Sequence, residues 1–226
     1  FPYTTLFRSE MPDVQLGERL LSIFARVPLE SLRDASLNDE SIDRISAASA
    51  ELAEMPLWID EQPALTLEQV RTKCRQVKRQ NGLRIVVIDY LQLMVGDGEN
   101  RNREISVITA GLKALAKELR VTIVALSQLN RQVENRPNKR PIMADLRESG
   151  SIEQDADLII GLYRDEVYDE DSAYKGLAEA LFLKHRSGKA GGFVPLAFHG
   201  AYTRFDSMFG EWPKAEKTNK KKGFED

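Results

Sequence analysis

The chain has 226 residues, 42% hydrophobic and 30% charged, which is typical of a globular protein and excludes a collagen, a disulfide scaffold or a wholly disordered chain. Its net charge of −3 creates no global attraction for nucleic acid, so such binding must come from local basic patches. The single cysteine, Cys74, can form no internal disulfide, and no run of about 18 apolar residues predicts a membrane span. We therefore expect a cytoplasmic protein with one main domain and no membrane partner.

The N-terminal residues 1–9 show neither helical nor strand periodicity that continues into the following segment. They join a well-patterned amphipathic helix beginning near Met11, so we interpret residues 1–9 as a non-native leader to an incomplete domain over residues 10–212. A capping box at Thr66 and Gln69 predicts the start of a later helix, which ends at Asn81 and Gly82. The lysine-rich residues 213–226 contain too few apolar side chains to pack and predict a disordered tail.

The strands of the domain follow from runs of β-branched and apolar residues. Residues 83–90 form a run typical of a strand buried on both faces of a parallel sheet, and residues 121–127 form a second such run after a helical segment. A strand, a helix and a strand in this order predict a right-handed crossover. Residues 157–163 predict a further strand, and residues 178–185 and 193–199 an antiparallel pair. We expect an α/β fold with a mostly parallel central sheet, flanking helices and that C-terminal antiparallel strand pair.

Two polar side chains follow these parallel strands, at the sheet edge where ligands bind in open α/β folds. Asp89 ends the first strand, where a carboxylate can hold a metal ion bound to nucleotide phosphates, although a strand-capping aspartate gives the same pattern. Gln128 follows the second strand and could contact a γ-phosphate or its attacking water, although an amide in a loop is often only a turn former. The strands alone do not separate these alternatives.

Residues 131–150 form a loop that is longer than compact domains usually contain. Five basic residues outnumber three acidic ones in this loop, which favours binding to the phosphate backbone of a single-stranded nucleic acid. The alternative is that the loop is a solvated hinge. The basic residues are Arg131, Arg136, Lys139, Arg140 and Arg147.

A glycine turn after the predicted strand 178–185 presents Lys184 and Arg186, which could act as trans-acting fingers on a phosphate held by a neighbouring subunit or be ordinary surface cations. No Cys/His/Asp cluster has zinc spacing. The phosphate-binding motif G-x-x-x-x-G-K-[ST] is also absent, since Gly188 and Lys189 are followed by Ala190.

Four segments carry a resemblance to a known family: VIDYLQLM at 87–94, LKALAKEL at 112–119, VALSQLNR at 124–131, and residues 145–157. They resemble the replicative DNA helicase of the DnaB family, and the likeness extends from about Ser9 to Trp212. The resemblance implies a RecA-like ATPase domain that uses ATP and Mg²⁺, forms a homo-hexameric ring and translocates 5′ to 3′ on single-stranded DNA. It also implies a primase and a helicase loader as partners.

The resemblance assigns a role to each candidate residue. Glu10 matches the carboxylate that activates the attacking water, Asp89 the Walker B aspartate that supports Mg²⁺, and Gln128 the residue that senses the γ-phosphate. Lys184 and Arg186 match the trans-acting finger residues. Arg147, Glu148 and Gly150 match the DNA-contacting loop of the family, where Glu148 would orient Arg147. Arg131, at the start of that loop, is proposed as a DNA contact on its charge alone.

The resemblance also implies that a P-loop strand and helix are missing upstream of Glu10. We therefore expect this chain by itself neither to bind ATP well nor to unwind DNA. A non-catalytic RecA-like module, kept for ring or partner interactions, is the alternative to a truncated helicase. Retention of Asp89, Gln128, Arg147, Lys184 and Arg186 together favours the helicase. A RecA-type recombinase is disfavoured by the run at residues 145–157.

Overall fold

A computed structural model describes residues 3–8, 13–96, 98–146 and 149–213, except for the side chains of Arg8, Asp13 and Ser149. Over these residues the chain forms six α-helices and eight strands. The helices are α1 Asp13–Ala25, α2 Leu29–Arg33, α3 Asp39–Ala53, α4 Leu67–Asn81, α5 Arg101–Leu119 and α6 Ser149–Asp155. The strands are β1 Thr4–Arg8, β2 Leu57–Asp60, β3 Ile85–Asp89, β4 Thr122–Ala125, β5 Leu158–Tyr163, β6 Leu177–His185, β7 Phe193–His199 and β8 Arg204–Ser207.

The first four strands form a parallel sheet in the order β2-β1-β3-β4. One face of this sheet packs against α4 and α5, where Val86 and Ile88 of β3 meet Val70 and Ile105 of the helices in one buried cluster. This arrangement confirms the predicted parallel sheet with flanking helices. Among the described residues, no helix has the length and apolar character that crossing a bilayer requires.

Strand β1 lies within residues 1–9, where the sequence shows no helical or strand periodicity that continues into the following segment. It lies between β2 and β3, and its Thr5 and Phe7 side chains are buried. The segment Thr4–Arg8 does not alternate between polar and apolar residues, so periodicity does not predict this strand, and the two neighbouring strands supply the hydrogen bonds that define it. The interpretation of residues 1–9 as a non-native leader stays a prediction.

The predicted ends of α4 are confirmed. Thr66 Oγ1 accepts a hydrogen bond from the Gln69 backbone N–H at 3.3 Å, and Gln69 Oε1 accepts one from the Thr66 N–H at 2.9 Å. These reciprocal bonds form a capping box. At the other end Gly82 has φ +80°, a backbone conformation that glycine adopts without steric cost.

The last four strands form an antiparallel sheet in the order β5-β6-β7-β8. The sequence predicts an antiparallel pair here, and the structure extends that pair by β5 on one side and β8 on the other. Strand β5 alternates, with Ile159 and Tyr163 buried and Leu158, Ile160 and Leu162 exposed. In the part of the chain that the structure describes, β4 and β5 are therefore edge strands, and Val124 of β4 and Leu158, Ile160 and Leu162 of β5 are exposed.

Residues 131–150, expected to be a structureless loop, contain short helical turns. Arg131–Asn135 and Met143–Asp145 form 3₁₀ turns, and α6 begins at the end of the segment. Leu129 pairs with Leu146 in an antiparallel bridge, and the Asn130 N–H donates to the Asp145 carbonyl at 2.7 Å. The segment is thus a compact excursion whose two ends lie side by side.

Candidate functional site

Asp89 is the last residue of β3, and Gln128 lies shortly after the end of the adjacent parallel strand β4. Beyond the regular ladder, the Leu126 N–H donates to the Ile88 carbonyl at 2.9 Å, and the Leu91 N–H donates to the Leu126 carbonyl at 3.0 Å. These bonds continue the pairing of β3 with β4 past the strand ends. The two candidate residues therefore lie at one edge of the sheet, as the sequence predicts.

The side-chain amide of Gln92 connects the segments that follow β3 and β4. Its Nε2 donates to Ser127 Oγ at 3.0 Å, and its Oε1 accepts a hydrogen bond from the Gln128 backbone N–H at 3.3 Å. Gln92 and Ser127 are half-buried, whereas Gln128 is exposed. Gln92 was not predicted from the sequence; the signal available was one amide in the otherwise apolar run Leu91, Gln92, Leu93, Met94.

Arg101, at the start of α5, holds the turn that carries Gln92. Its guanidinium donates to the backbone carbonyls of Gln92 at 2.8 Å and Met94 at 3.1 Å, and it pairs with Glu104 at 2.5 Å. The turn is thereby attached to a helix whose buried face belongs to the main core. This residue was also missed from the sequence, because nothing local distinguishes it from an ordinary helix-surface arginine.

Strand β1 brings the chain that leads to Glu10 beside Asp89. In the register of β1 and β3, Arg8 is the Cα partner of Asp89, and Glu10 follows two residues later. Glu10 itself lies outside the described residues, so its predicted role is not tested by the geometry.

The space beside Asp89 fits part of a magnesium–nucleotide site. A cavity of about 20 Å³ lies there, between the ends of β1 and β3 and the Leu91–Leu93 turn. This volume holds about one water molecule or ion. A carboxylate at a strand end is a suitable oxygen donor for Mg²⁺ or its water shell. The donor chemistry therefore fits the metal.

The ends of the 131–150 segment carry the candidate DNA-contacting residues. Arg131 is exposed beside the Leu129–Leu146 bridge, and Gly150 is exposed on α6, where no atom of the described residues lies within 4 Å of an added Cβ. Arg147 and Glu148 lie outside the described residues. The bridge therefore brings the first candidate, Arg131, close to the point where the chain leads into the others.

Two of the five basic residues in this segment are engaged inside the domain. Arg136 Nη2 pairs with the buried Asp145 at 2.6 Å, and Arg140 donates to both carboxylate oxygens of the buried Glu179 at 2.7 and 2.6 Å. The local positive charge inferred from the sequence is therefore smaller than its count of basic residues suggests. The reason is that one partner, Glu179, lies far along the chain on β6.

Lys184 and Arg186 lie at the end of β6, on the antiparallel sheet rather than with Asp89 and Gln128. Lys184 Nζ donates to the Glu153 carbonyl of α6, and Arg186 pairs with Asp157 at 3.3 Å. Asp157 also accepts a hydrogen bond from Lys113, which with Arg186 holds the pKa of this carboxyl below its ordinary value. Both cations are thus tied near α6, the helix that carries Gly150.

The chain is similar to a known protein family. The family model described as the DnaB-like helicase C terminal domain matches residues 2–207. The chain belongs to this DnaB-like helicase C-terminal domain family. The match begins at residue 2 and so includes strand β1.

The relatives of this DnaB-like domain are replicative helicases. The chain is 47% identical over 210 residues to the replicative DNA helicase DnaB of Buchnera aphidicola from Acyrthosiphon pisum, covering 91% of this chain and 46% of the relative. It is 42% identical to that of Geobacillus stearothermophilus, covering 93% of this chain and 47% of the relative. The chain thus spans less than half the length of these curated relatives. This likeness does not favour the alternative of a non-catalytic module.

Solved structures agree with this fold. The chain is similar to a separately solved ATPase domain and to a DnaB-like replicative helicase studied with primase, each with a TM-score of 0.87 and 38% identity over 92% of this chain. It covers 75% and 51% of those two chains, respectively. The RadB recombinase, at 12% identity and a TM-score of 0.52, shares the fold alone. The fold is RecA-like, as the sequence resemblance implies.

Proposed function

We propose that this chain is part of the motor of an ATP-driven replicative DNA helicase that translocates 5′ to 3′ on single-stranded DNA and unwinds duplex at the replication fork. The observation that carries the proposal is the hydrogen bond from the Gln128 N–H to Gln92, in the turn that follows β3, because it holds Gln128 at the same edge of the sheet as the Asp89 carboxylate. Ligands in open α/β sheets bind beyond the carboxyl ends of the strands.

In this proposal the side chains at the sheet edge divide the work of ATP hydrolysis. Asp89 holds Mg²⁺, directly or through its water shell, and Gln128 senses the γ-phosphate through its amide. Glu10, two residues past the Cα partner of Asp89, activates the attacking water. Mg²⁺ on the nucleotide phosphates neutralises the charge that develops during phosphoryl transfer.

A second set of residues would act across a subunit interface. We propose that Lys184 and Arg186 stabilise the phosphate charge in the site of a neighbouring copy, within a homo-hexameric ring. Their location at the end of β6, on a different sheet from Asp89, supports a role outside the chain's own site. An arginine supplied from another subunit is an established way to stabilise a phosphoryl-transfer transition state.

We further propose that Arg131, Arg147 and Gly150 contact successive phosphates of single-stranded DNA, with Glu148 orienting Arg147. The bridge between Leu129 and Leu146 supports this grouping. A primase and a helicase loader are the proposed protein partners, and one solved relative is described with its primase interactions. We also expect a cytoplasmic location, with which the buried, unpaired Cys74 thiol is compatible.

For the chain by itself we propose weak nucleotide binding and no unwinding. The sequence has no G-x-x-x-x-G-K-[ST] motif, the loop that would hold the nucleotide phosphates. A calorimetric titration with Mg-ATP should therefore give no micromolar affinity. Micromolar binding by this chain would contradict the proposal.

The decisive experiment uses the full-length protein. Its coding sequence is first read from the source DNA upstream of the Glu10 codon, and the protein is then expressed from it. Asp89→Asn should abolish DNA-stimulated ATP hydrolysis, with circular dichroism and hexamer mass unchanged, because the amide is a poor ligand for Mg²⁺. Asp43→Asn is the matched control, since Asp43 is an exposed aspartate on α3. Full turnover by Asp89→Asn would remove Asp89 from the metal site and reject the proposed motor chemistry.

A further inference from the structure

Gln92 uses both ends of its side-chain amide to join two segments that are distant in sequence. The amide nitrogen donates to Ser127 Oγ and the amide oxygen accepts from the Gln128 N–H, so one planar group contacts two consecutive residues after β4. A pair of bonds from one rigid amide fixes both position and orientation, whereas one bond leaves rotation free.

The attachment point of Gln92 is itself restrained. Its backbone carbonyl accepts a hydrogen bond from Arg101 at 2.8 Å, and Leu91, the preceding residue, is buried in the core. A continuous set of contacts thus leads from the first turn of α5 through Gln92 to the backbone of Gln128. Gln128 is exposed, so burial does not hold it in place.

We propose that Gln92 is a positioning residue for hydrolysis, which holds the Gln128 backbone at a fixed place relative to Asp89. The inference rests on the proposed function, in which Gln128 senses the γ-phosphate. Catalytic groups must stay close to the productive geometry, and small displacements by supporting residues reduce turnover. Gln92 acts through Gln128 and contacts no substrate.

The first test measures the position of Gln128 without using activity. In Gln92→Met, which keeps the length of the side chain but removes both hydrogen bonds, amide hydrogen exchange at Gln128 should accelerate by about tenfold. Mass spectrometry of the peptide containing Gln128, in the full-length protein, reads this change. Gln92→Glu should restore protection, because its two carboxylate oxygens can accept from the Gln128 N–H and the Ser127 hydroxyl.

The second test separates positioning from binding. Gln92→Met should lower kcat for ATP hydrolysis by about tenfold while KM for ATP changes less than about twofold, since the lost contact orients a group in the transition state. Gln80→Met is the matched control, because Gln80 is an exposed glutamine on α4. It should leave both kcat and exchange at Gln128 unchanged. If Gln92→Met does not fold, Ser127→Ala, which removes one partner of the amide, takes its place.

The outcomes separate this inference from the proposed function. Normal exchange at Gln128 in Gln92→Met, or a lower kcat without faster exchange, would overturn the positioning role even where Asp89→Asn abolishes turnover. Faster exchange together with a lower kcat, and recovery of protection in Gln92→Glu, would support it. If Asp89→Asn keeps full turnover, the proposed function fails and this inference falls with it.

Discussion

Arg140 and Glu179 form a two-bond ion pair between the 131–150 segment and strand β6. Nε and Nη2 of Arg140 donate to the two carboxylate oxygens, and the Glu179 side chain is 3% exposed. The guanidinium also lies 4.7 Å from the centre of the Tyr163 ring. A charge-assisted pair with two parallel bonds is among the stronger polar contacts in proteins, and here it fastens the candidate DNA segment to the antiparallel sheet.

Removing one partner of this pair should be costly. Arg140→Ala leaves the Glu179 carboxylate buried without its cation, and we expect the free energy of unfolding to fall by about 3 kcal/mol. Urea denaturation of the full-length protein measures the change. Arg140→Met combined with Glu179→Leu should recover most of the loss, because no unpaired charge remains. A double variant as unstable as the single one would show that packing, not charge, dominates.

Single-stranded DNA affinity should respond to residues at the two ends of the segment. Arg131→Ala and Arg147→Ala should each weaken binding about fivefold and lower the slope of log K against log salt by about 0.7, the value for one phosphate contact. Fluorescence anisotropy with an oligonucleotide at several salt concentrations measures both quantities. Arg79→Ala, at an exposed position on α4, should change neither. An unchanged slope in both variants would remove the two arginines from the DNA interface.

The proposed action of Lys184 and Arg186 on a neighbouring subunit predicts complementation between inactive subunits. Arg186→Ala subunits and Asp89→Asn subunits should each lack turnover alone. An equal mixture should regain about one quarter of the normal rate, because random assembly leaves that fraction of head-to-tail interfaces intact. ATPase measurements after subunit exchange test this. No recovery, with mixed hexamers verified by mass, would place Arg186 in its own subunit's site.

Gly111 should resist the usual stabilising effect of alanine in a helix. A Cβ at this position on α5 would lie 2.1 Å from Leu67 Cδ2, so Gly111→Ala should destabilise the domain by about 1 to 3 kcal/mol through overpacking. Gly17→Ala on α1 is the matched control, because no atom of the described residues lies within 4 Å of a Cβ added there. In Gly17→Ala we expect the free energy of unfolding to rise by up to about 1 kcal/mol, because alanine has a higher helix propensity than glycine. Thermal unfolding of both variants decides; equal effects would contradict the close approach of Leu67.

Cys74 should be chemically silent in the folded protein. Burial raises the pKa of its thiol to about 12, and only the thiolate reacts rapidly with disulfide reagents. At pH 8 a thiol reagent should label the chain in urea but not in buffer. Because the pKa of Cys74 is higher in the folded than in the unfolded chain, its buried thiol contributes fully to the free energy of unfolding below the unfolded pKa of about 8.5. Above that pH the free energy of unfolding decreases by about 1.4 kcal/mol per pH unit. Cys74→Ala should lose this part of the alkaline decline.

The sequence predicted the features that depend on neighbours along the chain. The capping box at Thr66, the strand ending at Asp89 and the glycine at the end of α4 were all found, because each is specified by a few adjacent residues. The positions of Asp89 and Gln128 at one sheet edge followed from the general rule for parallel strands.

Features that depend on distant partners were not predicted. Strand β1 is defined by β2 and β3, and the four-stranded antiparallel sheet by pairing that a single apolar run does not specify. The charge of Arg140 is neutralised by Glu179, which is distant in sequence. The proposed positioning role of Gln92 depends on its contacts with Ser127 and Gln128. In each case the deciding contact joins side chains or strands that local patterns treat separately.

The exposed edges of β4 and β5 have a practical consequence for handling the chain. Val124 and Leu126 near one edge, and Ile160 and Leu162 on the other, are each 44–57% exposed beside backbone groups that can pair with a further strand. Exposed edge strands with apolar side chains can pair with another chain, and two copies can form hydrogen bonds between their edge strands. At concentrations used for crystallisation this polypeptide should self-associate edge to edge, and charged substitutions at Val124 and Ile160 offer a direct route to a monodisperse sample.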